Sequence, residues 1–126
     1  MKHQHFDVET VGFYGAYWAC AGGSDCAVIA MIGDDPEDRL ARSAVKWLCG
    51  RGVNVLTMSP AKKDYGHHNY PLERVETAIS WLKANGNHKI GIAGASTTGT
   101  LALTAAAMFP DITLTIAMTP SDFVWQ

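Results

Sequence analysis

The chain alternates between continuous apolar runs and segments in which apolar residues recur every three or four positions. Three apolar runs, at 26–32, 53–58 and 89–93, predict short strands buried on both faces. Segments 38–50 and 71–84 between these runs have helical spacing. The apolar positions expected on one face of each helix are Leu40, Ala44, Val45, Trp47 and Leu48 in the first, and Leu72, Val75, Ile79 and Leu82 in the second.

Strands separated by helical segments predict an α/β fold, since consecutive parallel strands need right-handed crossover connections. We expect a three-layer sandwich around a mostly parallel sheet, as one domain over residues 1–126. Segment 12–18 predicts a further strand, segment 101–109 a helix, and segment 59–70 a long polar loop. Segment 111–118 predicts a last strand, in which alternate apolar residues share one face: Ile112, Leu114, Ile116 and Met118.

Length, charge and cysteine content narrow the possible partners. The 126 residues carry a formal net charge of −2, which argues against nucleic-acid binding through phosphate neutralisation. No apolar run approaches the roughly 20 residues of a membrane span, and no secretory signal follows Met1, so we expect a cytoplasmic protein. Three cysteines without C-x-x-C spacing predict reduced thiols rather than disulfides or zinc, and no cofactor or metal is expected.

Ser96 is the most informative residue. It lies between the strand predicted at 89–93 and the helix predicted at 101–109, in the sequence Gly94-Ala95-Ser96-Thr97-Thr98-Gly99. A serine between a strand end and a helix start, flanked by small residues, is typical of a nucleophile elbow, whose tight turn exposes the hydroxyl above the sheet. The common form is G-x-S-x-G, and here Thr98 occupies the place of the second glycine.

Other interpretations of this segment compete with the elbow. The spacing does not supply the G-x-G-x-x-G of a dinucleotide site, and a phosphate loop would need lysine where Thr100 stands. Ser96 could also simply cap the following helix, because serine is a preferred N-cap residue. Capping and nucleophilic roles are compatible at one position.

Three segments resemble bacterial α/β-hydrolases: Gly91 to Gly99, Phe109 to Leu114 and Thr119 to Trp125. The nearest group is similar to the acyl-CoA thioester hydrolase / bile acid-CoA:amino acid N-acyltransferase C-terminal family. The segment Ile32-Gly33-Asp34-Asp35 resembles the oxyanion turn of that family. The resemblance implies that Ser96 attacks an acyl ester or thioester. The backbone N–H of Thr97 and the backbone at Gly33 and Asp34 would bind the oxyanion. For the side chains of Asp34 and Asp35 we expect helix capping.

A serine hydroxyl needs a base, and in this fold the acid and the histidine follow the nucleophile in the chain. Only Asp111 and Asp122 follow Ser96 as acids, and no histidine does. The chain is therefore expected to be the N-terminal part of a larger hydrolase, inactive alone, or a shortened protein without its base. His67 and His68 in the polar loop are candidate substitute bases.

Two hypotheses stay open from the sequence. The first is a serine hydrolase of acyl esters or thioesters. The second is a non-catalytic α/β domain that binds a small acyl or phosphorylated ligand at the same place. Because strand 112–117 would form an unpaired edge, and Phe123 to Trp125 an aromatic tail, a homo-oligomer is also expected.

Overall fold

The computed structural model describes residues 3–32, 35–58, 72–95 and 105–118. They form one six-stranded sheet in the order β1-β2-β4-β3-β5-β6. The strands are β1 (His3–Phe6), β2 (Gly15–Trp18), β3 (Cys26–Met31), β4 (Asn54–Met58), β5 (Lys89–Ala95) and β6 (Ile112–Met118). The helices are α1 (Val8–Val11), α2 (Arg39–Cys49) and α3 (Leu72–Ala84). Residues 105–108 are also helical.

The predicted mostly parallel sheet is confirmed. Strand β3 pairs in parallel with both β4 and β5, and β5 pairs in parallel with β6. The hairpin of β1 and β2 adds an antiparallel edge beside β4. Gly15 begins β2 in close contact with β4, since a Cβ there would lie 2.4 Å from the carbonyl oxygen of Thr57. The strand predicted over 12–18 is shorter than expected and begins at Gly15, because Gly12 has a φ of +91° and belongs to the turn before the strand.

Helices cover both faces of the sheet and give the predicted three layers. On one face, α3 buries Val75, Ile79 and Leu82 as predicted, together with Ala78. On the other face, α2 buries Val45 and Leu48 against the sheet. Full burial of an aliphatic side chain stabilises a fold by about 1.5–3 kcal/mol, so these two apolar interfaces hold the layers together.

The predicted apolar face of α2 is wrong for two residues. Leu40 is 61% exposed and Trp47 is 53% exposed, whereas Ala41 is fully buried. The helix packs over β3 and β4 through the Ala41, Val45 and Leu48 positions, and the wider apolar stripe continues past the sheet contact. The guanidinium carbon of Arg51 lies 3.9 Å from the centre of the Trp47 ring, which suits a solvent-facing indole.

The predicted one-sided alternation of β6 is also wrong. The pairing register shifts between Ile90 and Gly91, whose partners are Ile112 and Leu114. This irregularity sends Ile112 into the α3-side core and Ile116 to the α2-side core. Leu114 is left 55% exposed. A strand-by-strand reading of the sequence cannot reveal such a bulge, because it depends on the partner strand.

Several expectations fall partly or wholly outside the described residues. The helix predicted at 101–109 is seen only as the helical residues 105–108. The loop predicted at 59–70 and the tail Phe123 to Trp125 are among the residues not described. No described helix is long and apolar enough to cross a membrane.

Candidate active site at the carboxyl ends of the strands

The carboxyl ends of β3 and β5 lie side by side. These strands pair in parallel from Cys26↔Lys89 to Met31↔Gly94 without a register shift. Neighbouring strands are about 4.8 Å apart. The segment that begins with Gly33 follows β3 in sequence, and the segment that begins with Ser96 follows β5. Both predicted segments thus leave the sheet from adjacent strands at one edge.

The predicted site residues themselves lie outside the described residues. These are Ser96, Thr97, Gly33, Asp34, His67 and His68. The structure therefore shows the strand ends and the following turn that flank them, and their own geometry stays a prediction. Among the described residues, no group of three His, Cys, Asp or Glu side chains has the arrangement of a metal site.

The turn at residues 35–38 connects this edge of the sheet to α2. Asp38 is the N-cap of α2, since its carboxylate accepts from the N–H of Ala41 at 2.9 Å. The carboxylate of Asp35 accepts instead from the N–H of Glu37 at 2.9 Å, within the turn. The capping expected of Asp35 thus belongs to Asp38, three residues later, while Asp35 closes the preceding turn. We call residues 35–38 the α2 entry turn.

A buried hydroxyl fixes the α2 entry turn to the sheet. Thr57 on β4 is fully buried, and its hydroxyl lies 2.6 Å from the carbonyl oxygen of Pro36. The indole N–H of Trp18 donates to the same hydroxyl at 3.0 Å. The hydroxyl of Thr57 thus accepts from the indole of Trp18 and donates to the carbonyl of Pro36. All three buried polar groups therefore have a hydrogen-bond partner.

Two histidines of the edge strand hold the same turn from outside. His3 and His5 point to one side of β1, and each ring nitrogen hydrogen bonds to a different carboxylate oxygen of Glu37. The His5 contact measures 3.0 Å between Nδ1 and Oε1. The ring of His3 stacks on that of Trp18, with centroids 4.0 Å apart. We call this arrangement the histidine clasp; the sequence alone does not reveal Glu37 as the partner of His3 and His5.

Tyr14 lies beside the clasp. Its hydroxyl donates to the carboxylate of Asp35 at 3.5 Å, a long hydrogen bond, and its ring meets that of His5 edge-on. Partial burial raises the pKa of Tyr14 above its ordinary value, and the negative charges of Asp35 and Glu37 raise it further. The phenol therefore stays protonated, and a donor, into the alkaline range.

The opposite, amino edge of the sheet carries a buried amide network. Asn54 donates to the side-chain oxygen of Asn87 at 2.9 Å, and its own oxygen accepts from the N–H of Cys20 at 2.9 Å. Asn87 donates in turn to the carbonyl of Leu82, at the end of α3. These contacts join the ends of strands and of α3 to the turns beside them, so this network is structural. Asp111 is also at this edge, where it forms an exposed ion pair with Lys83 at 2.6 Å.

The three cysteines are free thiols, as predicted. Burial raises the pKa of the Cys49 thiol, and the neighbouring Cys20 raises it further. A thiol with a raised pKa is a poor nucleophile at neutral pH, so Cys49 is not a candidate for the attacking group.

An apolar cavity of about 320 Å³ opens between α2 and the β5–β6 part of the sheet. No described helix covers the sheet there, which agrees with the exposure of Trp47 and Leu114. The lining residues are Ile32, Leu40, Ser43, Ala44, Trp47, Leu48, Ala93 and Ile116.

The fold has close counterparts among solved structures. A cold-adapted esterase from an Arctic intertidal metagenomic library superimposes with a TM-score of 0.73 at 20% sequence identity over 90% of this chain. The α/β hydrolase GrgF from Penicillium sp. sh18 gives 0.75 at 22% identity over 94%. Est1E from Butyrivibrio proteoclasticus gives 0.69 at 20% identity over 98%. The chain therefore has the α/β-hydrolase fold.

The matched region is about half of each of these proteins, namely 58%, 45% and 53% of their chains. No protein-family model matches the sequence, and no curated protein does. At such identities the likeness establishes the fold, while the chemistry has to be argued from this chain's own residues.

Proposed function

We propose that this chain carries the nucleophile half of a serine hydrolase that cleaves acyl esters or thioesters, with Ser96 as the attacking residue. One observation carries the proposal. Strands β3 and β5 pair in register up to Met31↔Gly94, so the segments that begin at Gly33 and Ser96 leave the sheet from adjacent strand ends. An oxyanion hole of this fold draws one N–H from each of two such segments.

The chemistry assigned to these segments follows from where charge develops. The Ser96 hydroxyl adds to the acyl carbonyl carbon, and its proton passes to a base as the carbonyl oxygen becomes an oxyanion. The N–H of Thr97 and the backbone at Gly33 and Asp34 donate to that oxygen. Loss of one such donor costs roughly 3–4 kcal/mol of transition-state stabilisation in well-studied hydrolases.

The base and acid of the site are proposed to come from elsewhere. Asp111 forms an ion pair with Lys83 at the amino edge of the sheet, away from the strand ends that would hold a substrate. Ligands of open α/β sheets bind at the carboxyl edge. We therefore propose that a longer polypeptide supplies the acid and histidine after Gln126, and that His67 and His68 are the substitute bases if it does not.

The substrate class is proposed from two sources. The fold is shared with proteins described as esterases. The segments around Ser96 and Thr119 resemble the acyl-CoA thioester hydrolase / acyltransferase family, which favours a thioester such as acyl-CoA and leaves hydrolysis and acyl transfer as alternative outcomes. The free thiols support a reducing compartment, the cytoplasm.

Labelling with a fluorophosphonate probe tests the proposal. The wild-type chain should accept one equivalent of probe during prolonged incubation, because no histidine after Ser96 activates its hydroxyl, and Ser96→Ala should accept none. Ser80→Ala is the matched control, because Ser80 is an exposed serine on α3. Turnover of p-nitrophenyl esters by the isolated chain should be low, since no histidine follows Ser96. Labelling that persists in Ser96→Ala would refute the assignment and favour a non-catalytic, ligand-binding domain.

A further inference from the structure

The histidine clasp joins two parts of the fold that are distant in sequence. His3 and Glu37 are separated by 34 positions, and His5 and Glu37 by 32. The two histidines lie on the sheet's outermost strand, whereas Glu37 lies in the α2 entry turn. One carboxylate is therefore held through both of its oxygens by a strand that is separated from β3 by two other strands, β2 and β4.

The carboxylate is well placed to fix the turn. Its side chain is 27% exposed, so water screens the contacts only in part. The guanidinium Nε of Arg42 donates to the backbone carbonyl of Glu37 at 2.8 Å, and the N–H of Glu37 is bound by Asp35. Glu37 is thus tied through its backbone and both carboxylate oxygens.

The turn has few other connections to the sheet. Among the described residues, three side-chain contacts tie it to the strands and their ends: Thr57 with Pro36, Tyr14 with Asp35, and the two histidines with Glu37. The Thr57 contact is buried, and the Tyr14 hydrogen bond is long, at 3.5 Å. Loss of the histidine contacts would remove the two hydrogen bonds that join the turn to β1.

We propose that Glu37 is a positioning residue for the active site: the histidine clasp sets the α2 entry turn, and through it the oxyanion segment at residues 33–34, which directly precedes that turn. This inference depends on the proposed function. The edge hairpin of β1 and β2, which contributes no residue to the proposed chemistry, would then control the efficiency of the oxyanion hole.

The test compares Glu37→Ala, Glu37→Gln and His5→Ala in the full chain. Glu76→Ala is the matched control, because Glu76 is an exposed glutamate on α3. Two quantities are measured for each variant: the rate of Ser96 phosphonylation across probe concentrations, and amide hydrogen exchange at residues 33–38. Circular dichroism confirms that each variant folds, and Glu37→Gln, which keeps the size and one acceptor oxygen, is the safeguard should Glu37→Ala unfold.

We expect Glu37→Ala to lower the maximal phosphonylation rate by about 10-fold to 100-fold, because a small misplacement of reacting groups has that scale of effect. The half-saturating probe concentration should not change, since the lost interaction acts in the transition state. Glu37→Gln should lose less. In the double variant, adding His5→Ala to Glu37→Ala should not lower the phosphonylation rate further, because Glu37→Ala has already removed the contact between His5 and Glu37. Exchange at residues 33–38 should accelerate.

Two results would overturn the inference. The first is unchanged exchange at residues 33–38 in Glu37→Ala, whatever happens to labelling. The second is faster exchange with a wild-type phosphonylation rate, which would reduce the clasp to a structural contact. If wild-type protein is not labelled at all while exchange accelerates in Glu37→Ala, the proposed function fails and the positioning of the turn by Glu37 stands.

Discussion

The hydroxyl of Thr57 lies 2.6 Å from the carbonyl oxygen of Pro36, inside the protein. We expect Thr57→Val to lower the free energy of unfolding by about 1–3 kcal/mol, because it leaves that carbonyl and the indole N–H of Trp18 buried without a partner. Urea denaturation measures the change. Thr57→Ser keeps the hydroxyl and should lose much less, so a loss in Thr57→Val no larger than that in Thr57→Ser would contradict the role given to the hydroxyl.

The amide network at the amino edge should also be essential for stability. Asn87 is fully buried and contacts Asn54, so Asn87→Ala should destabilise the fold by about 1–3 kcal/mol. Asn85→Ala is a suitable control, since Asn85 is exposed and two positions away. Its effect should be smaller, near the 0.5 kcal/mol typical of surface changes. Thermal and urea unfolding of both variants would check this, and a neutral Asn87→Ala would contradict it.

The raised pKa of Tyr14 predicts a loss of stability at alkaline pH. Because the folded-state pKa exceeds that of the unfolded chain, the contribution is complete below the ordinary value of about 10. It is lost as the pH rises from there through the folded-state pKa. Tyr14→Phe should therefore flatten the fall of unfolding free energy above pH 9.5. Parallel curves for wild type and variant would mean that burial and the charges of Asp35 and Glu37 do not raise the pKa of this phenol.

The exposed apolar surface beside α2 predicts self-association. Trp47 and Leu114 are about half exposed, and β6 is an edge of the described sheet. Light scattering at micromolar concentration should show a homodimer or larger species, and Leu114→Glu should shift it toward the monomer. Met108→Glu is the control. Met108 is equally exposed, but it belongs to the helical residues 105–108, whose Ala105 lies in the core on the α3 side of the sheet. A wild-type monomer would refute the prediction.

The sequence predicted the central elements because their apolar runs are continuous. Strands β3, β4 and β5 were found within one or two residues, and the helix face of α3 was found through Val75, Ile79 and Leu82. Strand β1 was not predicted. His3, Gln4 and His5 are polar, and their strand is recognisable only from its pairing with β2.

The candidate site likewise has a part that the sequence predicts and a part that it does not. A local motif points to Ser96, and the order of strands places its segment beside that of Gly33. The contacts of the α2 entry turn are not local, since Glu37 meets residues more than 30 positions away. The exposure of the Trp47 side chain and the bulge in β6 likewise depend on the elements that pack beside them. The spacing of apolar residues predicts which face of an element is apolar, but the neighbouring elements determine which of those residues are buried.

A crystal structure of the phosphonylated chain would test the central claim most directly. The account predicts a phosphorus–oxygen bond at Ser96 and a phosphonyl oxygen about 2.7–3.1 Å from the N–H of Thr97 and from a backbone N–H at Gly33 or Asp34. Ser96 should then occupy a strained turn directly after β5. A Ser96 found inside a regular helix, with its hydroxyl capping that helix and no phosphonate attached, would contradict the account.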